Sequence, residues 1–97
     1  MKKKNIYIDV DDTIIRTVGS KVMPITDTIK WIRENSETHN LYLWSRGGGD
    51  YAKNIAEKLQ INGCFLAFLP KPDALIDDQD FLTWTHLKTH YPSNIDI

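Results

Sequence analysis

The stretch from Asn5 to Ile15, N-I-Y-I-D-V-D-D-T-I-I, decides the fold of this chain. It begins with an apolar run that predicts a strand from about Ile6 to Val10, buried on both faces as in the centre of a parallel sheet. Asp9 lies near the end of this strand, and Asp11 and Asp12 follow it. Clustered carboxylates repel one another unless a cationic group holds them. Open α/β sheets bind ligands at the carboxyl ends of their strands. The stretch therefore indicates both a parallel sheet and a ligand site.

The composition is that of an ordinary globular protein and predicts one domain over residues 1–97. Hydrophobic residues make up 41% and charged residues 26%, and the net charge is −1, too small to steer the chain toward nucleic acid or membrane. The one cysteine, Cys64, excludes an internal disulfide and a zinc site built on cysteine alone. No apolar run has the length of a membrane span. The short, acid-broken run after Lys2–Lys4 is unlike a signal peptide, so we expect a cytoplasmic protein.

Helical and strand patterns alternate along the rest of the chain. The segment from Ile14 to Met23 predicts a hairpin-like excursion around Gly19-Ser20. A helix from about Asp27 to Asn35 should follow, with Thr26 as its N-cap. The remaining predicted elements are a strand at Leu41–Trp44, a helix from Tyr51 to about Gln60, a strand at Cys64–Leu69, a loop at Pro70–Asp73, a short fourth strand at Ala74–Ile76 and a last helix between Phe81 and Tyr91. This order favours an α/β fold with a parallel sheet and right-handed crossovers.

Polar residues follow three of the predicted strands. Asp9 and Asp11 lie at the end of the first, Ser45 follows the second and Asp77-Asp78 follow the fourth, so one sheet edge should gather them beside Lys71. Clustered carboxylates suit Mg²⁺, and a serine before a glycine-rich turn and a helix suits phosphate. A lysine adds a compact cation for the same group. The pattern indicates phosphoryl transfer, with one carboxylate as nucleophile and another as general acid/base.

Four motifs, in this order, resemble those of the haloacid dehalogenase superfamily in its phosphatase branch. D-V-D-D-T at Asp9 to Thr13 is similar to the first motif, D-x-D-x-[T/V], and L-Y-L-W-S at Leu41 to Ser45 to the second. Lys71 matches the third, and L-I-D-D at Leu75 to Asp78 the fourth. The resemblance covers the chain from Asn5 to about Asp78. It implies a compact, doubly wound, Rossmann-like parallel sheet with strand order 5-4-1-2-3, or a truncated form of it.

The resemblance also implies roles for individual residues. Asp9 would be the nucleophile that forms an aspartyl-phosphate, and Asp11 would be the general acid/base. Ser45 and Lys71 would hold the phosphoryl oxygens, and Arg46 is placed to touch the substrate. The Mg²⁺ ligands would be Asp9, Asp11 through its backbone carbonyl, Asp77 and Asp78, with Asp77 preferred to Asp78 for direct contact.

These roles predict a Mg²⁺-dependent phosphohydrolase of phosphate monoesters. The stretches between Thr13 and Thr26 and between Ser45 and Lys71 leave no room for a cap domain. A capless cleft suits a substrate that brings its own bulk, such as a nucleic-acid end, a protein or a sugar-phosphate carrier, or an oligomer partner that acts as a lid.

Two other functions are compatible with the pattern. One is a catalytically inactive domain of this fold with a binding or regulatory role. The intact Asp9 and Asp11 argue against this function. The other is a phospho-accepting signalling domain that is similar to a response-regulator receiver. Its phosphorylated aspartate would follow the third strand, whereas the third predicted strand here ends in Leu69-Pro70.

Overall fold

The fold was analysed in a computed structural model, which describes residues 2–97. Its elements, in chain order, are β1 (Asn5–Asp9), β2 (Ile15–Val18), β3 (Lys21–Pro24), α1 (Thr26–Asn35), β4 (Asn40–Ser45), α2 (Gly49–Lys58) and β5 (Ala67–Pro70). Single 3₁₀ turns lie at Asn62–Cys64 and Phe81–Thr83. Within residues 2–97, no helix combines the length and apolar character that crossing a membrane requires.

A three-stranded parallel sheet forms the centre of the molecule, in the order β1-β4-β5. The strands predicted first, second and third in the sequence are therefore neighbours in space, and the predicted α/β class with a parallel sheet is confirmed. Strands β2 and β3 form a separate antiparallel pair around Gly19-Ser20, as predicted. Gly19 has φ +62, a backbone conformation that glycine adopts without steric cost.

The hydrophobic core lies between one face of this sheet and both helices. Alternate residues of a strand point to opposite faces, and every second residue of β4, from Leu41 to Ser45, is buried. The core side chains that these elements share are Ile8, Leu41 and Leu43 from the sheet, Ile29 and Ile32 from α1, and Ala52, Ile55 and Ala56 from α2. Burial of one such large aliphatic side chain stabilises a fold by roughly 1.5–3 kcal/mol.

The opposite face of the sheet carries aromatic side chains. Tyr7 stacks on Tyr42 with ring centroids 4.8 Å apart, and its ring meets the Trp44 ring at 4.9 Å. Because both helices pack into the core on the other face, the predicted double winding is wrong for the described residues. The sheet is instead covered by helices on one side.

The predicted fourth strand at Ala74–Ile76 does not form, so the implied five-strand order is not realised. These residues have no regular structure, and Ile76 is fully exposed at 105%. The segment is only three residues long, and it lies between Pro72 and a turn in which Asp77 accepts a hydrogen bond from the Gln79 amide at 3.0 Å. Pro72 and the turn at Asp77 both oppose the extended pairing that a strand needs.

The predicted last helix between Phe81 and Tyr91 is also wrong. Only a 3₁₀ turn forms there, started by Asp80, whose carboxylate accepts a hydrogen bond from the Leu82 amide at 3.0 Å. Trp84 then takes an extended conformation with ψ 114. Three β-branched threonines, at positions 83, 85 and 89, lower the helix propensity of this segment, and Pro92 follows it.

Smaller differences concern the ends of elements. Thr26 is the first residue of α1 rather than its cap, and Ile25 precedes the helix without a side-chain cap. Helix α2 begins at Gly49, two residues earlier than predicted. Cys64 lies in a 3₁₀ turn, so β5 begins only at Ala67.

Candidate functional site

The ion pair between Asp9 and Lys71 is the centre of the candidate site. Lys71 Nζ lies 3.0 Å from Asp9 Oδ1, and the Thr13 hydroxyl donates to Asp9 Oδ2 at 3.3 Å. The two charged side chains are about one-third exposed, at 33% for Asp9 and 30% for Lys71. Partial burial leaves an ion pair less screened than one in open water. Two residues that the sequence assigned to one site are therefore in direct contact.

The parallel sheet produces this contact. Asp9 is the last residue of β1 and pairs in register with Trp44 on β4. Lys71 directly follows β5, and its backbone N–H donates to the Ser45 carbonyl at 3.0 Å. Its ammonium also lies 5.9 Å from the centre of the Trp44 ring, within the range of a cation–π interaction.

The loop after β1 holds Asp9, Asp11 and Thr13 in place. The Val10 carbonyl accepts hydrogen bonds from the amides of Thr13, Ile14 and Ile15 at 2.9–3.3 Å. Val10 and Ile14 are fully buried, which anchors the loop to the core. Asp12 is exposed and has φ 65.

A tight turn follows β4 at Ser45. The Ser45 hydroxyl accepts a hydrogen bond from the Gly47 amide at 3.0 Å, and its carbonyl accepts one from the Gly48 amide at 3.1 Å. Helix α2 begins directly afterwards at Gly49, so the turn lies at the positive end of the helix dipole. The hydroxyl proton of Ser45 stays available as a donor, although the residue is only 2% exposed.

Asp11 contacts a residue that the sequence had marked only as the start of a helix. The Tyr51 hydroxyl donates to Asp11 Oδ1 at 2.8 Å across 40 positions of sequence. Burial and then the hydrogen bond to Asp11 raise the pKa of Tyr51 to about 12. No local sequence pattern indicates this contact, because it depends on the approach of α2 to the loop after β1.

Arg46 is not joined to Asp9 or Lys71. Its guanidinium lies 3.6 Å from Asp73 Oδ1, and both side chains are largely exposed. An exposed ion pair of this kind contributes little stability. The arginine therefore remains beside the turn, on the solvent side of the site.

Asp77 and Asp78 are exposed residues of the irregular segment after β5. The hydrogen bond from the Gln79 amide is the largest cause that lowers the pKa of Asp77. Among residues 2–97, no three histidine, cysteine, aspartate or glutamate side chains lie close enough to hold a metal ion. Mg²⁺ takes much of its coordination from water and substrate phosphate, so its protein sites need only one or two carboxylates.

The connections on either side of the site are short. The hairpin β2–β3 lies between Thr13 and Thr26, and α2, a 3₁₀ turn and β5 fill the stretch between Ser45 and Lys71. A surface cleft of about 480 Å³ lies between α1 and the end of α2, and none of the candidate residues lines it.

Compared with protein-family models, curated proteins and solved structures, the chain matches none.

Proposed function

We propose that this protein is a Mg²⁺-dependent phosphohydrolase of phosphate monoesters that acts through an aspartyl-phosphate on Asp9. The observation that carries the proposal is the contact of Lys71 Nζ with Asp9 Oδ1 at 3.0 Å, next to the turn after Ser45. A carboxylate nucleophile needs a cation beside it, because the attacked phosphoryl group is itself anionic.

The surrounding groups suit a phosphoryl group in front of Asp9. Lys71 provides a cation, and the Ser45 hydroxyl with the turn before α2 provides donors at a helix N-terminus. We propose that these groups bind the phosphoryl oxygens, with Arg46 available to more distant parts of the substrate. The resemblance of the four motifs to the haloacid dehalogenase phosphatases supports the same assignment.

Asp9 and Asp11 lie two positions apart at a strand end, and the Asp9 carboxylate and the Asp11 backbone carbonyl offer the hard oxygen donors that Mg²⁺ prefers. We propose that they hold the ion and that Asp77 or Asp78 completes its coordination, which requires residues 74–78 to approach β1. The ion would neutralise charge on the bound phosphate.

The reaction follows from these positions in two displacements. An oxygen of Asp9 attacks phosphorus, the bond to the leaving oxygen breaks, and Asp11 gives that oxygen a proton. Water then attacks phosphorus and passes a proton to Asp11, and the bond between phosphorus and Asp9 breaks. Inorganic phosphate leaves, and both carboxyl groups return to their starting states.

Hydrolysis of 4-nitrophenyl phosphate and of a panel of phosphorylated metabolites, with Mg²⁺ and with a chelator, tests the proposal. We expect Mg²⁺-dependent turnover that Asp9→Asn abolishes, with Asp80→Asn in the exposed segment as the matched control. Turnover that survives Asp9→Asn or chelation would contradict the mechanism. Absence of turnover on every substrate would favour a binding domain, and a phospho-adduct that accumulates without turnover would favour a signalling domain.

A further inference from the structure

Tyr51 makes a hydrogen bond that the proposed reaction does not yet use. Its hydroxyl donates to Asp11 Oδ1 at 2.8 Å, and it joins the second residue of the loop after β1 to the first turns of α2. Asp11 itself is exposed, whereas Tyr51 is half-buried against the core. The hydrogen bond therefore connects a half-buried ring on α2 to an exposed carboxylate on the loop after β1.

Room for the Tyr51 ring depends on Gly47. A Cβ atom at position 47 would lie 2.8 Å from Cδ2 of the ring, closer than such atoms approach in proteins. The ring therefore occupies the space that a side chain at Gly47 would fill. The same glycine donates its amide to the Ser45 hydroxyl, so the phosphate turn and the tyrosine fit together as one unit.

The direction of the hydrogen bond fixes which oxygen of Asp11 can exchange a proton. A phenol donates to Oδ1, and Oδ1 can accept that bond whether the carboxyl group is ionised or protonated. The exchangeable proton is then carried by Oδ2. In the first displacement the bond from Oδ2 to its proton breaks, and the leaving oxygen receives the proton. In the second, Oδ2 receives a proton from the attacking water.

We propose that Tyr51 is a positioning residue that orients the carboxyl group of Asp11, with Oδ1 held by the phenol and Oδ2 turned toward the leaving group. This inference rests on the proposed function. A short carboxylate on an exposed loop rotates freely unless a partner holds it, and general acid catalysis needs the acid within hydrogen-bond reach of the leaving oxygen.

Tyr51→Phe tests this role, because it keeps the ring and removes only the hydroxyl. The measured quantity is kcat/KM for two esters, 4-nitrophenyl phosphate and phenyl phosphate, since kcat/KM reports the displacement in which the leaving group departs. Phenolate leaves with much more difficulty than 4-nitrophenolate and needs the proton more. We expect kcat/KM for phenyl phosphate to fall by about tenfold, which corresponds to roughly one net hydrogen bond. The value for 4-nitrophenyl phosphate should change much less.

Tyr42→Phe is the matched control, because Tyr42 is also half-buried but its ring contacts Tyr7 on the far face of the sheet. We expect it to leave both rates unchanged. Inhibition by inorganic phosphate should be the same for Tyr51→Phe and the unaltered protein, since the phosphate contacts remain. In an Asp11→Asn background, Tyr51→Phe should cause no further difference between the two esters.

Equal loss on both esters, or no loss on either, would overturn the positioning role while the proposed function stands. A further loss in the Asp11→Asn background would show that Tyr51 acts independently of Asp11 and would overturn it as well. If the unaltered protein hydrolyses neither these esters nor any phosphorylated metabolite of the panel, the proposed function fails and the role of Tyr51 fails with it. Circular dichroism and urea unfolding of each variant separate these results from a loss of folding.

Discussion

At the scale of single residues, Lys71 has two tasks at one place. Its backbone N–H donates to the Ser45 carbonyl, and its ammonium contacts Asp9. The backbone contact does not depend on the side chain, so a substitution can remove the charge while the chain keeps its path. The residue can therefore be tested for catalysis separately from folding.

We expect Lys71→Met to lower kcat/KM for 4-nitrophenyl phosphate by about 10²–10³-fold, the usual effect of removing one group that stabilises a transition-state charge. The free energy of unfolding, measured in urea, should change little, because the ion pair is one-third exposed. Lys53→Met, on the exposed side of α2, is the matched control. Comparable activity of the two variants would contradict the role of Lys71.

Tyr51 predicts a dependence of stability on high pH. Burial, followed by the hydrogen bond to Asp11, raises its pKa from 10.0 to about 12. The folded state therefore holds the phenol proton more tightly than the unfolded state does. Its contribution to the free energy of unfolding is complete below about pH 10 and is lost as the pH rises toward about 12.

Urea unfolding of the unaltered protein and of Tyr51→Phe across this range measures the effect. We expect the difference in the free energy of unfolding between the two proteins to shrink as pH rises from about 10 to about 12. Tyr7→Phe is the control, because Tyr7 is 48% exposed. A difference that stays constant with pH would show that the hydroxyl of Tyr51 is not held in the folded protein.

At the scale of elements, the contact between α2 and β5 determines where the helix dipole points. A Cβ atom at Gly49 would lie 2.6 Å from the Phe68 carbonyl oxygen, so the helix start and the strand approach each other backbone to backbone. No flexible side chain is available to move aside. The glycine is required by this close approach.

We expect Gly49→Ala to lower the free energy of unfolding by about 1–3 kcal/mol, as in other overpacked sites, although alanine favours helices. Gly63→Ala is the control, since nothing lies within 4 Å of a Cβ atom there. Urea unfolding of both variants makes the comparison. A stabilised Gly49→Ala protein would show that α2 and β5 can separate without cost.

Much of the sheet and half of the site were predictable from sequence, and the reasons are local. The apolar runs ending at Asp9 and Ser45 each mark a strand and the point where it stops, and the helices after them have clear amphipathic patterns. Parallel topology then brings Lys71 beside Asp9, as the observed ion pair confirms. The hairpin β2–β3 was also predictable, from the turn residues Gly19-Ser20.

The region after Lys71 was not predictable in the same way. Leu75 and Ile76 look like a strand, but a strand needs a partner, and three residues between Pro72 and an aspartate turn do not find one. The side chains from Phe81 to Tyr91 suggested a helix, although the threonines oppose it. The contact of Tyr51 with Asp11 depends on the tertiary approach of α2 to the first loop, which no local pattern records.

At the scale of the whole molecule, the chain divides into a packed part and an exposed part. Within residues 2–97, the buried hydrophobic side chains all lie between Ile8 and Phe65. Leu82, Leu87 and Tyr91 in the last segment are exposed. The hydrophobic core is therefore complete before the chain reaches that segment.

We expect a chain that ends at Asp80 to keep its fold, with the free energy of unfolding lowered by less than about 1 kcal/mol, as for changes outside the core. Urea unfolding followed by far-ultraviolet circular dichroism compares it with the full chain. A large loss of stability would show that residues 81–97 pack against the molecule.

The parallel pairing of β1 with β4 also has a consequence for how fast the protein folds. The Asn40 side chain donates to Asn5 across 35 positions, and closing such a distance costs chain entropy before any contact offsets it. The hairpin between these strands forms from neighbouring residues, in about 1–10 μs for hairpins in general. It can therefore shorten the segment that must close. Because Lys71 directly follows β5, we expect its ion pair with Asp9 to form once β5 has joined the sheet.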